Sequence, residues 1–78
     1  MSRDIREIER QIESAARWAA KWRKLEEETL EVASVMRDPE ARRQMQFISE
    51  GYRLLAERAE ERRERLVARA VAIKRGPC

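Results

Sequence analysis

The sequence has no histidine, a single cysteine at its last position, and only two glycines, two prolines and four aromatic residues among 78. Without histidine there is no imidazole for acid–base chemistry near neutral pH and no His-bearing zinc or di-iron site. One cysteine builds no disulfide framework within the chain. So few turn residues do not supply an all-β fold, and the composition is not that of a collagen-like or flexible low-complexity chain. No apolar run approaches the roughly 18 residues that span a bilayer. The start, MSRDIREIER, carries no apolar signal-peptide core. A cytoplasmic helical protein with no membrane segment is the expectation.

Charge is what the chain has in abundance. Charged residues are 42% of it, yet 18 basic against 15 acidic side chains leave a net charge of only +3. The excess lies in the second half, chiefly Arg42, Arg43, Arg62, Arg63, Arg65, Arg69, Lys74 and Arg75. On a helix many of these find an opposite charge three or four positions away, as Glu60 reaches Arg63 and Glu61 reaches Arg65, which makes a solvated face. The sharper alternative is an anion-binding stripe of Arg62, Arg63, Arg65 and Arg69 for nucleic acid, but a dedicated binder carries uncompensated clusters and a recognisable motif.

The one periodic signal is helical. Apolar residues recur in steps of three and four through Ile5, Ile8, Ile12, Ala15, Ala19 and Trp22, then through Trp18, Trp22, Leu25, Thr29, Val32 and Met36. Ser2 or Asp4 caps the start, and neither Gly nor Pro interrupts the stretch, so the first helix spans residues 2–37. Asp38-Pro39-Glu40 then stops one helix and starts another. Proline forces the preceding residue out of the α conformation, Asp is a good N-cap, and Pro suits the first helical position. The second helix shows Ala41, Met45, Ile48, Tyr52, Leu55, Ala59, Leu66, Ala70 and Ile73, and spans 39–75 before Gly76-Pro77 ends it. A turn at 37–39 makes the two helices antiparallel neighbours, with residues 76–78 as a short tail.

The fold class is therefore all-α: a single long antiparallel, coiled-coil-like helical hairpin. Folding it about Asp38 sets Ile5, Trp18, Trp22 and Leu25 against Ile73, Ala59, Leu55 and Tyr52, and sets Thr29 near Ile48. A core below about 80 residues supplies only roughly 3–5 kcal/mol unless stapled or partnered. Apolar residues off that seam, Leu30, Val35, Phe47, Leu54, Val67 and Val71, widen the apolar face, with Leu30 and Phe47 on one flank near the turn. Such a face suits a second hairpin, and the expectation is a homodimer forming a four-helix bundle, or else an assembly with a helical partner. Glu26, Arg62 and Arg69 interrupt the seam, either snorkelling at its edge or fixing register. Gly51, inside a helix, allows either a close backbone approach or nothing more than tolerance.

No constellation carries chemistry. Glu26, Glu27, Glu28 and Glu31 form an acidic cluster balanced by Arg23 and Lys24. Ser14, Ser34, Ser49 and Cys78 have no base in a recognisable arrangement. There is no Gly-rich phosphate loop. Neither a catalytic site, a cofactor or metal site, nor a small-molecule substrate is expected. Cys78 is a free thiol or an intermolecular disulfide.

Asp38-Pro39-Glu40-Ala41-Arg42-Arg43, followed by Tyr52, Leu55-Ala56-Glu57-Arg58-Ala59-Glu60-Glu61, resembles a pattern in small uncharacterised helical proteins of alphaproteobacteria. The resemblance covers residues 38–65, about a third of the chain, and Arg in preference to Lys fits a GC-rich genome. It implies helical structure and brings no activity or ligand. A designed hairpin is the competing origin, against which the irregular residues Met36, Gln44, Met45 and Gly51 argue. The function expected is a non-catalytic helical interaction or assembly module, the alternative being a small nucleic-acid-associated regulator using the basic second helix.

Overall fold

A run of 34 helix-compatible residues, Ser2–Val35, forms α1, and 37 residues, Pro39–Arg75, form α2. The computed structural model describes residues 2–76, apart from the side chains of Ser2 and Arg3. Ser2 as a capping side chain, Pro77 and Cys78 thus lie outside the described residues. Asp4 sits inside the first turn of α1 and is not its cap.

The turn is built as its chemistry dictates. Asp38 is extended (φ −74°, ψ 120°), and its carboxylate accepts a hydrogen bond from the Ala41 amide at 3.2 Å. Pro39 occupies the first turn of α2, and Glu40 adds negative charge near the positive end of the helix dipole. The sequence places the end of α1 at Arg37, whereas the helix stops at Val35. The Met36 amide closes on the Ala33 carbonyl at 3.2 Å, and the freed Met36 carbonyl accepts from Arg42 Nε and Nη2 at 3.2 and 2.6 Å. An arginine of the second helix thus caps the first, satisfying a terminal carbonyl that the turn leaves open. At the far end Gly76, at φ 74°, donates its amide to the Ile73 carbonyl at 3.1 Å. That left-handed conformation favours glycine.

The helices run antiparallel along a rod of 61 × 16 × 11 Å. Among the described residues two cross-helix ion pairs fix the register: Glu9 with Lys74 at 3.2 Å and Arg23 with Glu60 at 2.9 Å. Moving two heptads along α1 moves the partner two heptads back along α2, so the helices stay in phase over their length.

The seam differs from the sequence expectation in its second half. On α1 it does not shift to Leu25 and Val32. It continues in unbroken steps of three and four through Trp22, Glu26, Thr29, Ala33 and Met36, all buried or half-buried, while Val32 is exposed. On α2 it runs through Met45, Ser49, Tyr52, Ala56, Ala59, Leu66 and Ala70, so Ser49 and Ala56 replace Ile48 and Leu55, which are exposed. Fully enclosed positions are small: Ala56 has no exposed surface, and Ala15, Ala19, Ala33 and Ala70 are buried beside Ile8. Small side chains on the contact line leave the larger ones at its margins. Thr29 and Ser49, both buried, turn their hydroxyls back to the Leu25 and Gln46 carbonyls at 2.6 and 2.7 Å. No buried side-chain polar atom among the described residues lacks a partner.

Candidate functional site: one apolar and one ion-paired flank

The two sides of the seam differ in chemistry. On one side lie Glu9, Ala16, Arg23 and Leu30 of α1, spaced by sevens, against Gln46, Arg53, Glu60, Val67 and Lys74 of α2. Both cross-helix ion pairs fall here. Arg23 is the centre of this flank. Its Nε and Nη2 grip the two oxygens of Glu60 at 3.1 and 2.9 Å, and its Nη1 reaches Glu26 Oε1 at 3.0 Å. These hydrogen bonds, Glu60 first and Glu26 second, raise the Arg23 pKa. Glu60 is lowered in turn, chiefly by its hydrogen bond from Arg23, against a smaller effect of desolvation. Glu26, with only 17% of its side chain exposed, thereby has a cationic partner at a seam position. Glu60 pairs with Arg23 of the other helix, not with Arg63 as the helical spacing suggests.

Leu30 also belongs to this flank, sharing a groove with Gln46, Ser49, Glu50 and Arg53. Phe47 lines a different surface with Glu40, Arg43, Gln44 and Ile48. The expectation that Leu30 and Phe47 share one flank is therefore corrected. So is the single widened face. Val67 falls in phase with Glu60 and Lys74, and Val71 next to it on the outside, while Phe47 and Leu54 point away from α1, with Phe47 76% exposed. Equal distance from the turn sets two residues at the same height but does not fix the side of the helix from which each side chain leaves.

The opposite flank is apolar toward the turn. Trp18, Leu25 and Val32 of α1, again spaced by sevens, lie beside Ile48 and Leu55 of α2. A groove lined by Ser14, Trp18, Arg58 and Arg62, together with Ala15 and Ala59, shows that the two rows share one side of the hairpin. Trp18 stacks on Trp22 with ring centroids 5.7 Å apart, and Trp22 stacks on Tyr52 at 5.9 Å, so an aromatic ladder climbs from the seam onto this flank. Lys21 lies over the Trp18 ring at 5.1 Å. Trp18 is 48% exposed, and Leu30, Phe47, Ile48, Leu54, Leu55 and Val71 are exposed as well. Ile12, Trp22, Leu25, Tyr52, Leu66 and Val67 are half-buried.

Continuing along α2 from Ile48 and Leu55 in steps of three and four, the same face reads Gly51, Arg58, Arg62, Arg65 and Arg69. Of the candidate anion-binding set, Arg62, Arg65 and Arg69 share this face, while Arg63 sits at the seam position between Ala59 and Leu66; all four are exposed. None of them has a salt-bridge partner among the described residues, so the expected Glu61–Arg65 pair is not formed either. Gly51 is exposed, and a Cβ built on it meets nothing within 4 Å, so it does not serve an approach to α1.

Among the described residues no helix is long and apolar enough to cross a membrane, and no cluster of His, Cys, Asp and Glu could hold a metal ion. Comparison of the chain with models of known families, with curated proteins and with solved structures gives no match.

Proposed function

We propose that this hairpin is a non-catalytic interaction module of the cytoplasm, acting as a homo-oligomer or with a helical partner, and that its apolar flank is the surface that is covered. The observation that carries this reading is the segregation of the flanks. Trp18, Val32, Ile48 and Leu55 lie exposed together on one side, while the cross-helix ion pairs among the described residues occupy the other. A contiguous exposed apolar face marks an interaction site more often than scattered apolar residues do. The accessible surface supports it: the hairpin exposes 6525 Å², against about 5,000 Å² for a folded monomer of this mass. A second hairpin on this flank completes a four-helix bundle.

Size-exclusion chromatography with light scattering, under reducing conditions over a dilution series, tests the reading. A mass near twice the monomer is expected at high concentration. A monomer that also retains no helical partner from its host would overturn it.

A second reading is favoured by the arginines of α2 that carry no ion pair. It makes the chain a nucleic-acid-associated regulator using Arg62, Arg63, Arg65 and Arg69. Its signature is binding to labelled DNA or RNA that weakens steeply with salt. Absence of binding at low salt removes it.

A further inference from the structure

The apolar flank changes chemistry at Trp18. Toward the turn it is apolar on both helices. Toward the free ends α2 presents Arg58, Arg62, Arg65 and Arg69, none with an ion pair among the described residues. Trp18 itself stands between two grooves with basic walls. Arg58 and Arg62 of α2 line one of them, Arg17 and Lys21 of α1 the other, and Ser14 borders both. Building on the reading of the α2 arginines as a nucleic-acid surface, we propose that this end of the flank binds single-stranded nucleic acid. Its phosphates lie on Lys21, Arg58, Arg62, Arg65 and Arg69, and one base stacks on Trp18.

The cations form a row. Arg58, Arg62, Arg65 and Arg69 follow one another in steps of four, three and four, all exposed, over about 16 Å of one helix face. Glu61, three positions from Arg58 and four from Arg65, lies on the outer side of α2 in phase with Leu54 and bonds neither. Lys21 is exposed and without an ion pair as well, whereas Arg17 already meets Glu13 at 3.9 Å and is left out of the row. A groove of such cations is what a phosphate backbone tracks.

The aromatic ring completes the site. Bases stack on exposed aromatic side chains with little regard to sequence. The Trp18 ring is steadied by Trp22, 5.7 Å away and inclined by 22°, and Trp22 stacks in turn on Tyr52. A base arriving on Trp18 extends this ladder. It takes the place of the Lys21 ammonium, now 5.1 Å over the ring, which turns to the neighbouring phosphate. Thr29, Ser34 and Ser49 bond their hydroxyls back to carbonyls, but the Ser14 hydroxyl makes no such bond among the described residues and faces both grooves.

Width selects a single strand over a duplex. Arg58 and Arg62 share their groove with Ser14 and Trp18 of α1, so their face of the hairpin is two helices wide. The major groove of a duplex, about 12 Å across, admits a single helix of about 10–12 Å. The edge of α2 that could enter alone carries Leu54, Glu61 and Ala68, spaced by sevens. An acidic polypeptide would meet the arginines but brings no flat ring to Trp18.

Fluorescence anisotropy of a labelled oligonucleotide, single-stranded or annealed to its complement, tests this with the full chain. The single strand is expected to bind more tightly than the duplex, with log K falling against log salt at a slope of about −3, as four or five phosphate contacts require. Arg58→Gln combined with Arg62→Gln flattens that slope by about 1.4. Trp18→Leu keeps an apolar side chain and loses the ring; it weakens single-strand binding roughly tenfold with the slope unchanged, and Trp18→Phe restores the affinity. Circular dichroism and light scattering confirm that the chains compared share helical content and mass. The wild-type comparison of single strand with duplex decides the matter even if Trp18→Leu does not fold. A duplex bound as tightly as the single strand, or a folded Trp18→Leu chain that binds as the wild type does, overturns the single-strand site and leaves the nucleic-acid reading of the arginines standing. Polyglutamate that competes as well as the oligonucleotide at equal charge overturns nucleic acid as the ligand in favour of an acidic polypeptide. Binding of neither oligonucleotide form at low salt overturns the site and that reading together.

Discussion

Arg23 shows how one side chain can reconcile a carboxylate with a helix seam. Glu26 occupies a contact-line position that calls for an apolar residue, and it stays there because Arg23, one turn earlier, supplies a hydrogen bond at 3.0 Å while gripping Glu60 across the hairpin. Glu60 is bound in its charged form, so its pKa lies below the ordinary value of about 4.5. The sign follows from linkage. The unfolded chain takes up a proton first as pH falls, so the stabilisation is complete above the ordinary value and is lost as pH drops through the folded one. Arg23 is raised further above a range in which it is already charged, and adds no pH dependence of its own. Glu60→Gln is therefore expected to melt below the wild type at pH 7, with the gap closing as the pH falls below the ordinary carboxylate range. Thermal unfolding followed by circular dichroism across that range checks it. Melting curves that keep the same separation at every pH would remove Arg23–Glu60 as a source of stability.

At the scale of the element, each helix owes its existence to an uninterrupted run of helix-compatible residues and its ends to a few specific groups: Asp38 and Pro39 at the turn, Arg42 on the Met36 carbonyl, and Gly76 at the close. The exception inside α2 is Gly51, whose backbone freedom helps nothing in the hairpin, since no atom lies within 4 Å of where its Cβ would be. Gly51→Ala is expected to stabilise the isolated hairpin by about 0.5–1 kcal/mol, measured by urea unfolding at a concentration where light scattering gives the monomer. A loss of stability there would mean that the glycine is required within the chain. The hairpin itself is legible in the sequence because Asp38-Pro39-Glu40 carries stop and start chemistry that depends on local geometry alone. The seam is less so. Choosing Leu25 over Glu26, Val32 over Ala33, Ile48 over Ser49 and Leu55 over Ala56 ranks candidates by apolar size, whereas phase decides which residue faces the neighbour. The unbroken alternation of three and four from Ile5 to Met36 is present in the sequence, and the charge of Glu26 hides it. What no count of apolar residues reveals is the Arg23 bridge that makes that charge tolerable. The two-sided character of the hairpin is hidden for the same reason: with the seam displaced by one residue, Ile48 and Leu55 disappear into a core they do not occupy.

At the scale of the whole molecule, a rod 61 Å long and two helices wide encloses little. Among the described residues no large side chain is fully buried, and Ala56 alone is completely enclosed. Hydrophobic stabilisation scales with the apolar area removed from water, and here much of that area remains on one flank. Covering it ties stability to association, because a partner that binds only the folded chain raises its melting temperature with concentration. The two flanks supply a controlled comparison within one protein. Leu55→Glu places a carboxylate on the apolar flank, and Leu30→Glu places the same group on the ion-paired one; both leucines are partly exposed, at 39% and 45%. Neither substitution opens a cavity in the seam, so each chain is expected to fold as a hairpin with wild-type helical content. The wild type and Leu30→Glu are then expected to melt at temperatures that climb over a hundredfold rise in concentration, while Leu55→Glu melts at a temperature independent of concentration. The same slope in both variants would show that the flanks do not differ in what they bind. A steeper slope in Leu55→Glu than in Leu30→Glu would move the contact to the side of Arg23 and Glu60.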